Sequence, residues 1–359
     1  MRSFAGILLR RILDRSASHS SKIDRSLRNE IQNRLFSMWT HEDNPTLIRR
    51  LSHVIGQCSA GGHWLDLIPT LFSQQSLGSV DNKIADLLGL VEIIADYCPD
   101  DILTHIKLLC NYLSTCFSST SARVQVACAR ATGACISTLD DDSARNLLRP
   151  ALQPIIDVLG TTLQRGDELD AVNIMEHLVE VAQLQPLFFK GSIDHVVNAM
   201  LTVAGATNLE FSTRSMALEL MITLAETAPA AARRSSSLLN GLIPLAMNLM
   251  LEYEDEDLEW AKGSYVEEDL EDNCVLGEEA LERAASGLGG RMVVPTALPL
   301  IQQFASMTAS TSWRNRRAAL AAIGRLAEGC TEVGRETLDS SPTAIFITTL
   351  NFRPLSMFT

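Results

Sequence analysis

Apolar residues recur along this chain at the three- and four-residue spacing of amphipathic helices, with short polar stretches between the runs. From Ser21 onward the pattern predicts helices in pairs: 24–41 with 45–59, 63–74 with 80–98, 101–117 with 121–138, and 143–164 with 168–184. Three more pairs follow, at 187–206 with 211–228, 232–252 with 272–288, and 291–308 with 312–329. Pro45, Pro186 and Pro229 fall in the breaks, where a missing N–H costs least. Pro69, Pro154, Pro244 and Pro299 fall within first helices of pairs and are expected to bend them.

The second helices share an ending. Ile94-Ala95, Val181-Ala182, Leu224-Ala225 and Leu326-Ala327 close four of them, at successive intervals of 87, 43 and 102 residues. An interval of 87 is two units of about 43, a period in the range of HEAT and armadillo helix pairs. Residues 214–226 align with 316–328, pairing Arg214 with Arg316, Ala217-Leu218 with Ala319-Leu320, and Leu224-Ala225-Glu226 with Leu326-Ala327-Glu328. The interval of 102 exceeds two units by about 16 residues, and the excess falls in the pair 232–288. The expected fold is therefore all-α: a right-handed superhelical solenoid of HEAT repeats over 1–330, with about seven pairs, a partial first one, and an irregular tail at 331–359. Each pair is too small to bury its apolar stripe alone, so neighbours must stack.

Composition agrees with that class. Hydrophobic residues make up 46% and aromatics only 5%, which suits Ala- and Leu-rich helices better than a β-sandwich. At 359 residues the chain exceeds what one compact core organises. The opening Met1 to Arg15 places Phe4, Leu8 and Ile12 at helical spacing among basic residues, as in a transit peptide or in a helix whose first partner is missing; the second reading is favoured. No run of 18 apolar residues occurs, so membrane insertion is not expected. Eight cysteines show no C-x-x-C spacing and are read as buried single thiols.

Charge changes the picture at one place. Between Glu252 and Asp272 stand eleven acidic residues against one base, Lys262, and this stretch holds most of the net charge of −13. It coincides with the excess length, so it is read as a loop inserted between two helices of one repeat. Four consecutive acids, Glu254, Asp255, Glu256 and Asp257, would be prohibitive to bury, leaving either a solvated face or a binding site. Trp260 supplies an aromatic anchor beside them, and Glu267, Glu268 and Asp269 form a second cluster. Concentrated charge with an anchor is how electrostatically steered interfaces are built, so basic proteins are the expected partners. The pI near 5 speaks against direct nucleic-acid binding.

Several motifs together resemble a known family. They are Glu254 to Asp257, Trp260-Ala261, Gly277 to Arg283, Gly287 to Gly290, Trp313 to Leu320, Ile323-Gly324 and Glu328 to Cys330. These look like the importin-beta (karyopherin-beta) nuclear transport receptors, closest to the importin-5 or Ran-binding protein 5 type, over about residues 2 to 330. The resemblance implies a receptor that shuttles between cytoplasm and nucleus with basic cargo such as ribosomal proteins or histones. It also implies contact with nucleoporins and release of cargo on binding Ran in its GTP form. Ran and cargo contacts carry over to Glu254, Asp255, Glu256, Asp257 and Trp260 of the acidic loop. Against the family pattern, the first helix of the first repeat is missing and the chain stops after about seven repeats.

Catalysis is not expected, and no cofactor is. His177 and Glu180 make an H-x-x-E, but position 181 is Val where a zinc-protease motif needs a second His. Gly287, Gly289 and Gly290 are read as helix-end glycines rather than a dinucleotide fingerprint. His53, His63, His105 and His195 are scattered over different repeats. A HEAT scaffold or a histone-binding adaptor outside transport is the alternative to a receptor, since fold alone does not choose between them.

Overall fold

In the computed structural model, residues 25–60, 64, 66–73, 81–252, 273–309 and 312–331 are described. Among them every regular element is helical, and the helices come in seven pairs. The pairs are α1 (Arg25–His41) with α2 (Pro45–Ser59), and α3 (Leu67–Ser73) with α4 (Asp81–Tyr97). Next come α5 (Pro99–Thr104) and α6 (Ile106–Phe117) with α7 (Ala122–Thr138), then α8 (Asp142–Leu148) and α9 (Leu152–Gln164) with α10 (Glu168–Leu184). The last three are α11 (Ile193–Ala204) with α12 (Phe211–Thr227), α13 (Pro229–Ala232) and α14 (Ser236–Leu249) with α15 (Asn273–Leu288), and α16 (Gly290–Ser306) with α17 (Trp313–Thr331). They divide between two compact units, one ending at Phe188 and one starting at Phe189.

Local chemistry sets the helix ends. Asn44 accepts from the Leu47 amide and Asp141 from that of Ala144, at 3.2 and 2.7 Å, each capping the helix it precedes. Pro45, Pro99 and Pro229 stand in first turns. Three first helices expected to be continuous are split, and a fourth starts late. The 101–117 helix breaks at His105; the 143–164 helix passes through a 3-10 turn at Arg149–Ala151, where Pro150 removes a donor; the 187–206 helix is divided between a 3-10 turn at Pro186–Phe189 and α11; and the 232–252 helix begins only at Ser236, capped by the Ser235 hydroxyl. In consequence Pro69 and Pro154 occupy third positions of short helices, where their missing N–H was unpaired anyway, and only Pro244, Pro295 and Pro299 lie inside longer ones.

Burial separates the two helices of a pair. A first helix such as α6 buries one stripe, Ile106, Leu109, Leu113 and Cys116, at three- and four-residue spacing. A second helix such as α7 buries Val124, Cys128, Ala131, Ala134, Cys135 and Ile136, because its own partner and neighbouring helices enclose it. Small residues let those helices approach. A Cβ on Gly277 of α15 would lie 2.5 Å from the Ala246 carbonyl oxygen of α14, and one on Gly329 of α17 would lie 2.4 Å from that of Glu282 in α15. Gly289 adopts φ +85° between α15 and α16, a conformation open to glycine, and its N–H closes on Ala285 O at 2.9 Å. The helix-end reading of the Gly287–Gly290 stretch holds.

Candidate functional site

The sequence-derived binding residues Glu254, Asp255, Glu256, Asp257, Trp260, Glu267, Glu268 and Asp269 lie outside the described residues. What the structure does describe are the two points where the acidic insertion leaves and re-enters the array. The chain leaves α14 through Leu251 and Glu252 and re-enters at Asn273, the first residue of α15. Both points are fastened. Arg214 in α12, 4% exposed, donates from its two terminal nitrogens to the two Glu252 carboxylate oxygens at 2.7 Å each. Its Nε donates to Ala204 O at 3.0 Å, and Asn273 Nδ2 donates to Glu252 Oε2 at 3.0 Å. Glu252 is thus spoken for within the fold.

Beside this clasp, the second helices of the later unit carry a lattice of arginines and carboxylates. Arg283 of α15 reaches back to α12, meeting Glu219 at 2.5 and 2.9 Å and Glu226 twice at 2.9 Å. Hydrogen bonds to Glu226 and Glu219 raise its pKa further. Arg325 of α17 holds Glu278 at 3.2 Å and Glu282 at 3.0 Å, and Arg317 holds Glu278 at 3.2 Å. Each helix is pinned to the one before it.

The earlier unit does this differently. Arg123 of α7 meets Asp86 of α4 at 3.2 Å, and Arg130 meets Glu92 at 2.8 Å. His177 of α10 completes the set, 3.5 Å from Glu92 and 3.6 Å from Glu180. Burial opposes charge on both His177 and Glu92, but their mutual hydrogen bond and attraction outweigh it, so the His177 pKa is raised and that of Glu92 lowered. Asp96 is shifted up by burial and by the nearby Glu180 and Glu92 charges. The H-x-x-E of the sequence is therefore one corner of an ion-pair hub linking three helix pairs. Reading along one helix missed the hub because Glu92 and Arg130 stand 85 and 47 residues from His177 in sequence. A signal was available: Arg123–Asp86, Arg130–Glu92 and Arg325–Glu282 are separated by 37, 38 and 43 residues, about one repeat.

Two grooves accompany these surfaces in the earlier unit. One of 790 Å³ runs over the second helices, with Arg49, Gly89, Glu92, Arg123, Asp170 and His177 in its lining. The other, of 400 Å³, lies between first helices and is walled by Leu113, Phe117, Leu147, Pro154 and Val158. All eight cysteines are free thiols; Cys128 and Cys135 are fully buried, and burial pushes the Cys58 thiol up to about 11. His53 and His105 are half-buried, His195 is exposed, and His63 lies outside the described residues. Among the described residues no helix is long and apolar enough to cross a membrane.

Comparison with known proteins converges on one family. Residues 206–295 match the family model described as "Importin repeat", and residues 52–199 match "IPO5-like, TPR repeats". The chain is similar to importin subunit beta-3 of Saccharomyces cerevisiae, 25% identical over 329 residues, covering 90% of this chain and 29% of that relative. Its fold, a HEAT-repeat solenoid, resembles Kap121p bound to Pho4p, with a TM-score of 0.80 and 22% identity over 92% of this chain and 32% of that one. Kap121p bound to Nup53p gives a TM-score of 0.80 and 22% identity over 97% and 33%.

Proposed function

The chain belongs to the importin-beta family, and from that premise we propose that it is part of a nuclear import receptor that takes up basic proteins through its acidic insertion. It spans 29% of the length of the curated relative, so this reading concerns the share of a receptor's work that these repeats would do. The observation that carries it is the placement of the insertion: eleven acids within one helix pair, both ends tied into the array by a buried arginine. Glu254, Asp255, Glu256 and Asp257 would steer a lysine-rich surface, Trp260 would pack at its centre, and Glu267, Glu268 and Asp269 would extend the contact. Ran in its GTP form would compete for the same strip and release the cargo. Structures of a relative with Pho4p and with Nup53p support cargo and nucleoporins as partner classes, and a receptor of this kind would shuttle between cytoplasm and nucleus.

The test is a pulldown with Ran loaded with GTP or GDP, together with stopped-flow kinetics against a lysine-rich cargo at several salt concentrations. Binding to the GTP form alone, and cargo association that slows as the Debye length falls from ~10 Å at 0.1 M to ~3 Å at 1 M, are expected. Replacing Glu254, Asp255, Glu256 and Asp257 by Ser should flatten that salt dependence, and Trp260→Ala should speed dissociation, by about 2 kcal/mol. Histone binding indifferent to Ran would instead favour the adaptor reading. Unchanged rates for both variants would leave the insertion an inert solvated segment.

A further inference from the structure

We propose that Cys116 and Cys128 form a peroxide-sensitive thiol pair: a hydroperoxide oxidises Cys116 to a sulfenic acid, and Cys128 resolves it as a disulfide that ties α6 to α7. Both residues belong to one helix pair, and nothing in this depends on the receptor reading. Residues 118–121 alone join the two helices, and Cys128 Sγ comes to 3.4 Å from Leu113 O, one turn before Cys116. There the Cys128 thiol is within hydrogen-bonding reach of Cys116, and so is the hydroxyl of Tyr112, one turn back on the same face of α6. The Tyr112 ring packs on Phe72 of α3, with centroids 4.9 Å apart. Two donors from two helices thus converge on one sulfur, and the preceding pair holds one of them in place.

The surroundings sort the thiols. Burial raises the pKa of Cys58, Cys98, Cys110, Cys135 and Cys330. At Cys116 the hydrogen bond from Cys128, helped by that from Tyr112, outweighs burial and lowers the pKa below the ordinary 9.0. Cys128 is held protonated by burial first and then by Cys116 itself. That second hold ends once the Cys116 sulfur is a neutral sulfenic acid, so the order is fixed: Cys116 reacts, then Cys128. Access agrees. Cys116 is 5% exposed while Cys128 is fully buried, and Leu113, Ser114 and Phe117 around Cys116 line the 400 Å³ groove between first helices, ample for a molecule little larger than water.

In the first step the Cys116 thiolate attacks a peroxide oxygen; an S–O bond forms, the O–O bond breaks, and the departing oxygen takes up the proton that Cys116 lost. In the second the Cys128 sulfur attacks the sulfenic sulfur; an S–S bond forms, the S–O bond breaks, and the oxygen leaves as water with the Cys128 proton. The two thiols together give up two electrons, and hydrogen peroxide is reduced to two waters.

The test treats the reduced full chain with hydrogen peroxide and maps tryptic peptides over time. Cleavage after Lys107, Arg123 and Arg130 leaves Cys110 and Cys116 on 108–123 and Cys128 on 124–130, so the disulfide is read as these two peptides linked. Half-buried Cys58 is the more exposed thiol, but its pKa of about 11 cuts its thiolate on the order of a hundredfold, and the greater nucleophilicity of that thiolate restores roughly half of this on a logarithmic scale. The linked peptide should therefore form about tenfold faster than Cys58 is oxidised. Cys128→Ser should leave Cys116 as a sulfenic acid that dimedone traps, with no linked peptide. Tyr112→Phe, which keeps the ring and drops the donor, should slow the reaction about threefold. Cys58→Ser should leave it unchanged. Loss of the Cys58 or Cys110 thiol ahead of Cys116 would mean that exposure decides, and the proposal fails. A linked peptide in Cys116→Ser would assign the bridge to Cys110 and overturn it too, as would the absence of a dimedone adduct in Cys128→Ser. An unchanged rate for Tyr112→Phe would sink the converging donors on which it stands. If Cys128→Ser loses helix by circular dichroism, the wild-type map decides, since fragmentation of the linked peptide tells Cys116 from Cys110.

Discussion

The four helix pairs up to Phe188 and the three beyond it are built to one plan, yet their second helices are fastened by different chemistry. Beyond Phe189, Arg283, Arg317 and Arg325 pin each second helix to the one before, and guanidiniums keep their charge at every physiological pH. Before Phe188, the link that joins three successive pairs passes through His177, which does not. Close contacts differ only in part. Gly56 and Gly133 abut the side chains of Tyr97 and His177, and beyond Phe189 Gly241 and Gly290 likewise meet those of Leu201 and Cys330, but Gly277 and Gly329 there abut backbone carbonyls. The same period and the same pairing of helices therefore give one unit whose cross-repeat links include a titratable histidine and one whose links are guanidinium–carboxylate pairs.

The largest contrast is expected from the glycines. Gly277→Ala sets a methyl 2.5 Å from a backbone oxygen and should destabilise by about 2–3 kcal/mol, since an oxygen held in a helix cannot move aside. Gly56→Ala meets the edge of the Tyr97 ring at 2.7 Å, and the ring can turn; a loss below about 1 kcal/mol is expected. Urea midpoints of the two variants settle it, and equal losses would remove this half of the contrast.

Arg283→Met comes next. It strands Glu219 and Glu226, each about a third exposed, and with that much solvent screening a loss of about 1 kcal/mol is expected, unvarying between pH 6 and 8.

A smaller effect, and a pH-dependent one, belongs to His177→Gln. The folded-state pKa of His177 is raised above the ordinary 6.5, so its contribution is fully present below pH 6.5 and fades as pH rises through the folded value. Thermal melts across that range should show the wild type losing stability with rising pH and the variant losing less; parallel curves would refute the hub. Glu92, lowered below 4.5, acts in the opposite sense, its contribution disappearing only as acid titrates it below that value. Least of all, Arg34→Ala, from the exposed α1 pair with Glu30 at 77% and 57% exposure, should leave the melting temperature unmoved.

Much of this was legible in the chain. Apolar spacing gave seven pairs, and the equivalence of Arg214 with Arg316 survives as two arginines donating to the ends of their first helices. What was not legible had a physical reason. Pro150 splits a first helix whose apolar stripe runs on uninterrupted, and the Ser235 cap delays the start of another, because the stripe reports burial and not backbone continuity. The fastening of the insertion was missed because Glu252 looks like any other member of an acidic run; only the fold brings α12 beside it. The hub at His177 was missed for the converse reason, since its neighbours in space are a repeat away in sequence.

Because a side-chain hydrogen bond already brings Glu252 to Asn273, the length of what lies between them is nearly immaterial to the helices on either side. Closing a flexible loop costs more as it lengthens, but a doubling adds only about 0.6 kcal/mol. The junction behaves as a socket. A natural lineage could lengthen, shorten or rewrite the segment between these two residues without repacking α14 on α15, and an engineer could graft a different recognition sequence there while keeping the array that presents it.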